Sequence, residues 1–424
     1  MTPEVKDRIE QLRHGNVPEG YKTTRKGIIP NEWTVQQIRD FAAISSGSTP
    51  NRGNPSYWNG DIPWVTTGEL EGGYITKTDE SITMQALSET SLRVYPVGTL
   101  LMAMYGQGKT RGTVAKLGIE ATVNQACAAI SLKEGHPEFI FHALQNAYDD
   151  IRKLSNTGNQ ENLNADIIKT FSVMFPPIAE QTKIAEILTA QDKAIELKEK
   201  RLAEKQRLKK YLMQQLLTGK KRLPGFDGEW KNVKLSEVLL ERTEKNTNQD
   251  HRICSVAVQK GVVDQVEHLG RSYAAADTSN YGVAHYGDVI YTKSPTGDFP
   301  YGIIKQSQLH EDVAVSPLYG IYEPVCYELG YILHTYFNYA INCSNYLLPI
   351  IQKGAKNTIN ITNSVFASNR LYLPMEHKEQ KALAEIFITA DKEIDLLRKE
   401  LEREKQKKKA LMQLLLTGIV RVNA

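Results

Sequence analysis

The chain of 424 residues lacks the features that mark several large classes of protein. Its four cysteines, Cys127, Cys254, Cys326 and Cys343, show no paired spacing, which gives no support for a zinc site or a disulfide framework. No apolar run reaches the roughly 18 residues of a membrane span, and the charged N-terminus is unlike a signal peptide. We therefore expect a soluble, cytoplasmic protein. A net charge of +3 is too small to indicate nucleic-acid binding by itself.

Motifs that carry catalysis are incomplete. Ala103–Thr110 satisfies only a relaxed P-loop pattern, and the β-branched, glycine-containing stretch Arg111–Val114 follows it where a phosphate-binding helix would have to begin. Asn54–Tyr57 resembles the box with which amino-methyltransferases hold a flipped adenine, but its third position differs and no glycine-rich turn for a methyl donor accompanies it. No nucleophile–base neighbourhood or metal-ligand spacing is visible. We expect a binding protein with no catalytic residue and no metal, and ATP binding or methyl transfer would require one of these two motifs to be real.

What the sequence does contain is a long internal repeat. A shift of 199 residues aligns Glu180–Gly219 with Glu379–Gly418, and roughly half of the positions are identical. A weaker similarity is found near the start of each half, where Glu32-Trp33 matches Glu229-Trp230. Because solenoid repeats run about 20–50 residues, a period this long indicates duplication of a whole domain together with a helix.

Each repeat closes with a helix of about 40 residues, or roughly 60 Å, ending at a glycine, Gly219 or Gly418. Lysines and a glutamate interrupt both apolar seams, so neither helix is expected to be stable alone. We predict that the two helices pair antiparallel; independent packing of each helix on its own domain is the alternative. The predicted pairing residues are Ile184, Leu188, Ile195, Leu202, Leu212 and Leu216 in the first helix and Leu383, Phe387, Ile394, Leu401, Leu411 and Leu415 in the second.

The segments outside the long helices favour short strands, turns and few helices. Helices are expected at about Pro137–Leu154 and Tyr327–Ala340. The predicted fold class is therefore α+β, with two mixed α/β domains, two long antiparallel helices and a pseudo-two-fold repeat. The predicted segments are an N-terminal extension (1–28), a first domain (29–175), a first long helix (176–222), a second domain (223–373) and a second long helix (374–424).

Polar turns in both domains are rich in the groups that contact DNA. Amides and basic side chains read base edges, whereas hydroxyls, lysines and backbone amides hold phosphates. Polar turns are common, so each stretch is weak evidence by itself. The predicted DNA contacts are Asn51, Arg52, Tyr105, Gln107, Lys109 and Arg111 in the first domain and Lys293, Ser294, Thr296, Lys356 and Asn357 in the second.

Several motifs in this order resemble the specificity subunits of type I restriction–modification systems. They are Ser46–Pro50, Tyr57–Trp64, Val123–Gln125, Gly158–Leu163 and Pro176–Gln181, the last leading into the first long helix. The resemblance extends over essentially the whole chain. The second domain lacks the first two motifs, which suggests that the two domains read different DNA.

This resemblance implies that each domain is a target-recognition domain for one half of a bipartite, asymmetric site in double-stranded DNA. The helices would act as a spacer and dock two methyltransferase subunits, and the assembly would recruit restriction subunits. No cofactor is expected on this chain, since S-adenosylmethionine, ATP and Mg²⁺ would bind the partner subunits. Two alternatives remain: the recognition subunit of a related system that cuts on both sides of its site, and a helical scaffold that does not read DNA.

Overall fold

The computed structural model describes residues 3–106, 108–154, 162–353 and 359–422. The chain divides into two compact units: unit 1 comprises Met1–Glu199 with Glu400–Ala424, and unit 2 comprises Lys200–Lys399. The division falls inside both long helices, so each helix contributes one half to each unit. Among the described residues, no helix is long and apolar enough to cross a membrane.

Unit 1 is built from short strands and helices followed by the first half of a long helix. Its elements are α1 (Pro3–Arg13), β1 (Tyr21–Thr24), β2 (Gly27–Pro30), β3 (Thr34–Gln37), α2 (Ile38–Phe41), β4 (Ala42–Ser46), β5 (Trp58–Val65), β6 (Tyr74–Ile75), β7 (Glu80–Ile82), α3 (Met84–Glu89), β8 (Leu100–Ala103), β9 (Val114–Leu117), β10 (Thr122–Val123), β11 (Cys127–Leu132), α4 (Pro137–Asn146), α5 (Tyr148–Lys153), α6 (Ala165–Thr170), β12 (Ser172–Phe175) and α7 (Ile178–Leu216).

The core of unit 1 lies on both faces of a sheet with strand order β4-β11-β8-β9-β6. Successive residues of a strand point to opposite faces, and β8 shows this directly. Leu100 and Met102 pack with the helices, whereas Leu101 and Ala103 pack in a second cluster with residues of β5 and β10. All four are buried. This two-sided burial explains why the sequence of β8 is a continuous apolar run rather than an alternating one.

Unit 2 has a comparable set of elements. They are β13 (Trp230–Lys234), β14 (Leu239–Glu241), β15 (Arg252–Ala257), β16 (Gly261–Asp264), α8 (Gln265–Leu269), β17 (Gly282–Ala284), β18 (Val289–Tyr291), β19 (Ile304–Gln306), β20 (Val313–Val315), β21 (Gly320–Pro324), α9 (Tyr327–Phe337), α10 (Ala340–Leu347), β22 (Gln352–Lys353), β23 (Ile359–Asn360), α11 (Asn363–Ser368), β24 (Arg370–Pro374) and α12 (His377–Leu415).

The two units repeat one topology. The order β4-β11-β8-β9 in unit 1 matches β14-β21-β18-β19 in unit 2. The parallel pair β5–β10 matches the parallel pair β15–β20, and the antiparallel pair β3–β12 matches β13–β24. The duplication evident in the helices therefore extends through the domains, although their sequences have diverged. This confirms the predicted α+β fold with an internal repeat.

The long helices α7 and α12 pair antiparallel within each unit. In unit 1, Gln191 Nε2 donates to Glu404 Oε2 at 2.7 Å and Lys198 Nζ lies 2.8 Å from Glu400 Oε2. In unit 2, Lys205 Nζ lies 2.8 Å from Glu393 Oε1. The residue numbers rise on one helix as they fall on the other, as antiparallel pairing requires.

The predicted pairing residues are covered to different degrees. Buried side chains are Ile184, Leu188, Leu216, Leu383, Phe387, Ile394 and Leu415, and half-buried ones are Ile195, Leu202, Leu212, Leu401 and Leu411. Both helices end as the sequence predicts, with left-handed Gly219 (φ +68°) and Gly418 (φ +73°). A backbone hydrogen bond from the Val420 N–H to the Leu414 carbonyl, at 3.0 Å, closes the end of the second helix.

Two predicted helices are shorter than expected. The helix predicted over Pro137–Leu154 is divided at Ala147, whose ψ of 6° interrupts the helical path between α4 and α5. The helix predicted over Tyr327–Ala340 ends at Phe337, and α10 begins anew at Ala340. Apolar periodicity continued across both breaks, which is why the sequence did not reveal them.

Candidate nucleic-acid interface

Arg52 lies on an aromatic surface of unit 1. Its guanidinium carbon lies 4.1 Å from the ring centroid of Trp58 and 4.9 Å from that of Trp64, and the two rings meet edge to face. Its second terminal nitrogen donates to Glu80 Oε2 at 2.9 Å. The planar fork is thus held at the surface in one orientation, with cation–π stacking and a carboxylate fixing it. A DNA phosphate or base edge would have to compete with Glu80 for it.

The turn before Arg52 is shaped by a close backbone approach. A Cβ at Gly47 would lie 1.7 Å from the carbonyl oxygen of Val123, so this position requires glycine. Trp64 Nε1 donates to Ser48 C=O at 3.0 Å, and Thr49 donates to Gln125. These contacts connect three motifs of the sequence resemblance in one place: the Ser46–Pro50 turn, the Tyr57–Trp64 strand and the Asn-Gln element.

The Asn54–Tyr57 box has a local structural role. Asn54 Oδ1 accepts hydrogen bonds from the Ser56 amide at 3.1 Å and the Ser56 hydroxyl at 2.8 Å, and so caps the short 3-10 helix Pro55–Tyr57. This capping accounts for Asn-Pro at this place without any base-binding role.

The second predicted segment connects β8 to β9. Tyr105 is 39% exposed and Lys109 is exposed, while the Lys109 carbonyl accepts from Tyr148 Oη at 2.7 Å. Among the described residues 108–113 no helix begins, and β9 starts at Val114, which removes the structural basis of a P-loop. Arg111 is only 7% exposed, so its side chain would have to move to reach a duplex.

The matching segment of unit 2 follows β18. Ser294 and Thr296 are exposed, and Thr296 forms a bridge with Phe299 through two 3.0 Å backbone hydrogen bonds. Lys293 is half-buried with φ +59°, a left-handed conformation that costs a non-glycine residue about 1–2 kcal/mol. Burial lowers the pKa of the Lys293 ammonium below its ordinary value, an effect that the nearby Glu241 carboxylate opposes. Stored strain of this kind is concentrated at functional sites.

Of the remaining predicted DNA contacts, the structure describes only Asn51. Asn51 is exposed, and its side-chain oxygen accepts from the Gly53 amide at 2.9 Å, which fixes the turn that presents Arg52. Gln107, Lys356 and Asn357 lie outside the described residues. The predicted residues therefore fall on separate connections between strands, and the DNA-contact assignments stay predictions.

An aromatic stack in unit 2 was not predicted. The ring of Tyr286 stacks on that of His310, with centroids 4.5 Å apart and planes at 21°, and on that of Tyr327, at 5.1 Å and 14°. Tyr286 is 43% exposed, so part of the stack faces solvent. The three residues are far apart in sequence, and no motif links them.

Both units contain the same buried anchor, in which a tryptophan at or next to the start of a strand contacts a long helix. In unit 1, Trp33 Nε1 donates to Glu180 Oε2 at 2.8 Å, and Arg421 donates to both carboxylate oxygens at 2.7 and 2.9 Å. The equivalent residues of unit 2 are Trp230, Glu379 and Arg222, joined at 3.1, 2.8 and 2.8 Å. The repeated Glu-Trp and Glu-Gln pairs were visible in the sequence, but their contact was not.

The neighbouring glutamine completes each anchor. Gln181 Nε2 donates to the Pro176 carbonyl and Gln380 Nε2 to the Pro374 carbonyl, both at 2.8 Å. Gln181 Oε1 accepts from the His136 amide at 2.8 Å, which fixes the start of α4. The Glu-Gln pair thus holds the first turn of each long helix against its domain, and this explains its presence at both repeat starts.

Comparison with known proteins agrees with this architecture. The family model described as "Type I restriction modification DNA specificity domain" matches residues 30–206. The MjaIX type I specificity subunit of Methanocaldococcus jannaschii is 33% identical over 186 residues, which span 42% of each chain. The MjaVIII specificity subunit of the same organism is 23% identical over 430 residues, which span 95% of this chain and 96% of the relative.

A solved structure shares the fold. The S subunit of a type I restriction–modification system from M. genitalium superposes with a TM-score of 0.60 at 13% identity, and the match covers 90% of this chain and 96% of that one. The match extends over both halves, whereas the family model covers only the first.

Proposed function

We propose that this chain, which is similar to type I restriction–modification specificity subunits over nearly its whole length, selects the DNA sequence on which such a complex acts. Each unit reads one half of a bipartite target, and the long helices dock methyltransferase subunits. The role of the chain is recognition rather than catalysis. The observation that carries the proposal is the repetition of one strand topology in two units whose surface connections differ.

The difference between the connections supports an asymmetric target. Unit 1 presents Arg52 on two tryptophans after β4. Unit 2 has no such pair of tryptophans in the connection from β14 to β15, and presents the Lys293–Thr296 segment after β18. Base discrimination depends on the side chains that reach the groove, so two similar scaffolds with different side chains select different half-sites.

The long helices carry apolar side chains that their pairing does not cover. Within unit 2, Leu208 is 49% exposed, Tyr211 is 51% exposed and Leu396 is 61% exposed. Exposed aromatic and aliphatic residues on a stable helix pair are suited to packing against helices of another protein. They support the proposal that methyltransferase subunits dock on these helices. The proposed number is two.

Adenine methylation mapped across a host genome tests the proposal. The methyltransferase partner is co-expressed with and without this chain. A gapped two-part motif that depends on the chain is expected, because each unit contributes one half-site. Exchange of unit 2 residues 230–374 for those of a relative should change one half of the motif and leave the other half unchanged.

The scaffold alternative predicts a different result. If the complex assembles and no chain-dependent motif is methylated, the chain joins subunits without reading DNA. The recognition subunit of a system that cuts on both sides of its site would instead produce a motif, and its partner would also cut DNA. The identity of the co-purified partner distinguishes that system from a type I complex.

A further inference from the structure

Three potential metal ligands meet in unit 2 where two helices begin. Cys326 is the N-cap residue of α9, Glu328 lies in the first turn of α9, and His377 is the first residue of α12. Their donor atoms, one thiol sulfur, one carboxylate oxygen and one imidazole nitrogen, all lie within 4.8 Å of one another. The sequence spacing gave no sign of this cluster, because 51 positions separate the cysteine from the histidine.

We propose that Cys326, Glu328 and His377 bind a divalent transition-metal ion of the zinc class. Thiolate, imidazole and carboxylate are the ligands that Zn²⁺ takes in proteins, and three protein ligands leave a fourth position for water. Ligands at roughly 2.1 Å in a tetrahedral arrangement lie roughly 3.4 Å apart. The distance between His377 Nε2 and Glu328 Oε2 is 3.5 Å, which agrees with that spacing.

Comparison with unit 1 shows that this cluster is particular to unit 2. At the equivalent places unit 1 has His136, Glu138 and Ile178. The Glu138 carboxylate is occupied there, since Tyr74 Oη donates to it at 2.7 Å and Lys116 forms an ion pair with it. Unit 1 therefore has an apolar residue where α12 has a histidine, and its glutamate is already engaged.

The contacts of Glu328 differ for a specific reason. Lys116 lies on β9 opposite Leu100, and the matching position on β19 of unit 2, opposite Val289, is Gln306. Gln306 is uncharged, and its Nε2 donates to the carbonyl oxygens of Gly287 at 3.0 Å and Tyr327 at 2.9 Å rather than to Glu328. The carboxylate of Glu328 is thus directed to the histidine and the cysteine instead of to a lysine.

Charge at the site suits a dication. A thiolate and a carboxylate together supply two negative charges, which neutralise a divalent ion. The N-termini of α9 and α12 oppose a cation with their partial positive charge, and the two ligand charges have to outweigh that effect. Cys326 Sγ also donates to Gln380 Oε1 at 3.2 Å, so the thiol is already oriented by the residue that fixes the first turn of α12. A bound ion would join the start of α12 to the start of α9.

Titration of the untagged, metal-free full-length chain with Co²⁺ alone tests the site. One Co²⁺ per chain is expected, with intense visible absorption from four-coordinate geometry and a near-ultraviolet thiolate-to-metal band. Zn²⁺ should displace Co²⁺ and abolish both bands. Cys326→Ser should lose the thiolate band, and His377→Ala should weaken binding at least ten-fold.

Matched controls are available in the same unit. His268→Ala removes an exposed histidine of α8, and Cys254→Ala removes a buried thiol; both should bind Co²⁺ as the unaltered chain does. Because the His377 side chain is 64% exposed, His377→Ala leaves the core unchanged even if Cys326→Ser fails to fold. The proposal is wrong if Co²⁺ gives no thiolate band, or if binding survives His377→Ala undiminished.

Discussion

Removal of one charge from the anchor in unit 2 should loosen that unit and leave unit 1 intact. Glu379→Gln keeps the shape of the side chain but replaces one carboxylate oxygen with an amide that donates hydrogen bonds. The Glu379 side chain is 1% exposed and accepts three hydrogen bonds, two from Arg222 and one from Trp230. The N–H donors of the new amide would then face the N–H donors of Arg222 or Trp230, and the buried side chain has no water to bond instead.

The magnitude follows from the geometry. Breaking a buried ion pair by removing one partner costs about 3–5 kcal/mol. The Arg222 side chain is 30% exposed and can regain water, so we expect about 2–4 kcal/mol. For local opening, each 1.4 kcal/mol is a tenfold change, so amide exchange should accelerate about 30- to 700-fold.

Hydrogen exchange followed by mass spectrometry on the full chain measures this directly. The effect is expected in peptides that cover Trp230–Lys234 and the first turns of α12. Glu180→Gln is the matched variant in unit 1 and should shift the effect to Thr34–Gln37. Glu186→Gln is the control, because the exposed Lys183–Glu186 pair is worth at most about 0.5 kcal/mol. Equal acceleration in both units, or none beyond the control, would refute the reasoning.

Three further predictions concern other parts of the molecule. Burial lowers the pKa of His142 from 6.5 to about 4; the unfolded chain then takes up a proton that the folded chain refuses, so stability falls as pH drops from 6.5 towards 4. Urea unfolding across that range should show a smaller loss in His142→Gln. Gly418→Ala should lower the thermal midpoint more than Gly225→Ala, since both glycines have positive φ but only at Gly418 would the Cβ approach a neighbouring atom, Pro30 Cδ, at 2.5 Å; equal shifts would show that the clash relaxes without cost. Lys109→Ala should reduce the salt slope of binding to duplex DNA by about 1 if this side chain contacts a phosphate, and an unchanged slope would remove it from the interface.

The duplication was visible in the sequence because the two long helices have remained similar, whereas the sequences of the two domains have diverged. The fold class, the two helices and their terminal glycines were predictable from apolar period and capping chemistry. The break at Ala147 was not, because no proline or glycine marks it in the sequence. The resemblance to type I specificity subunits was visible in the order of the motifs, and the comparisons support it.

The contacts at the candidate sites were less predictable. Arg52 was selected for its charge and its place on a turn, but its stacking on Trp58 and its pairing with Glu80 required the fold. Arg111 was selected on the same grounds and is buried. Burial of a particular side chain depends on which strands cover it, and that information is not local in sequence.

Charged residues within the apolar seams of the two long helices fix the register in which the helices pair. In the sequence, Lys209 and Lys408 look like defects in an apolar seam. In the structure Lys408 Nζ lies 2.6 Å from Asp192 in unit 1, and Lys209 pairs with Asp391 in unit 2. These are the same pair of positions related by the repeat. Apolar side chains would tolerate several registers, whereas a shift of either helix would leave these partly buried lysines without their carboxylates. The apolar residues therefore supply most of the buried area, and the lysines select one alignment of the helices.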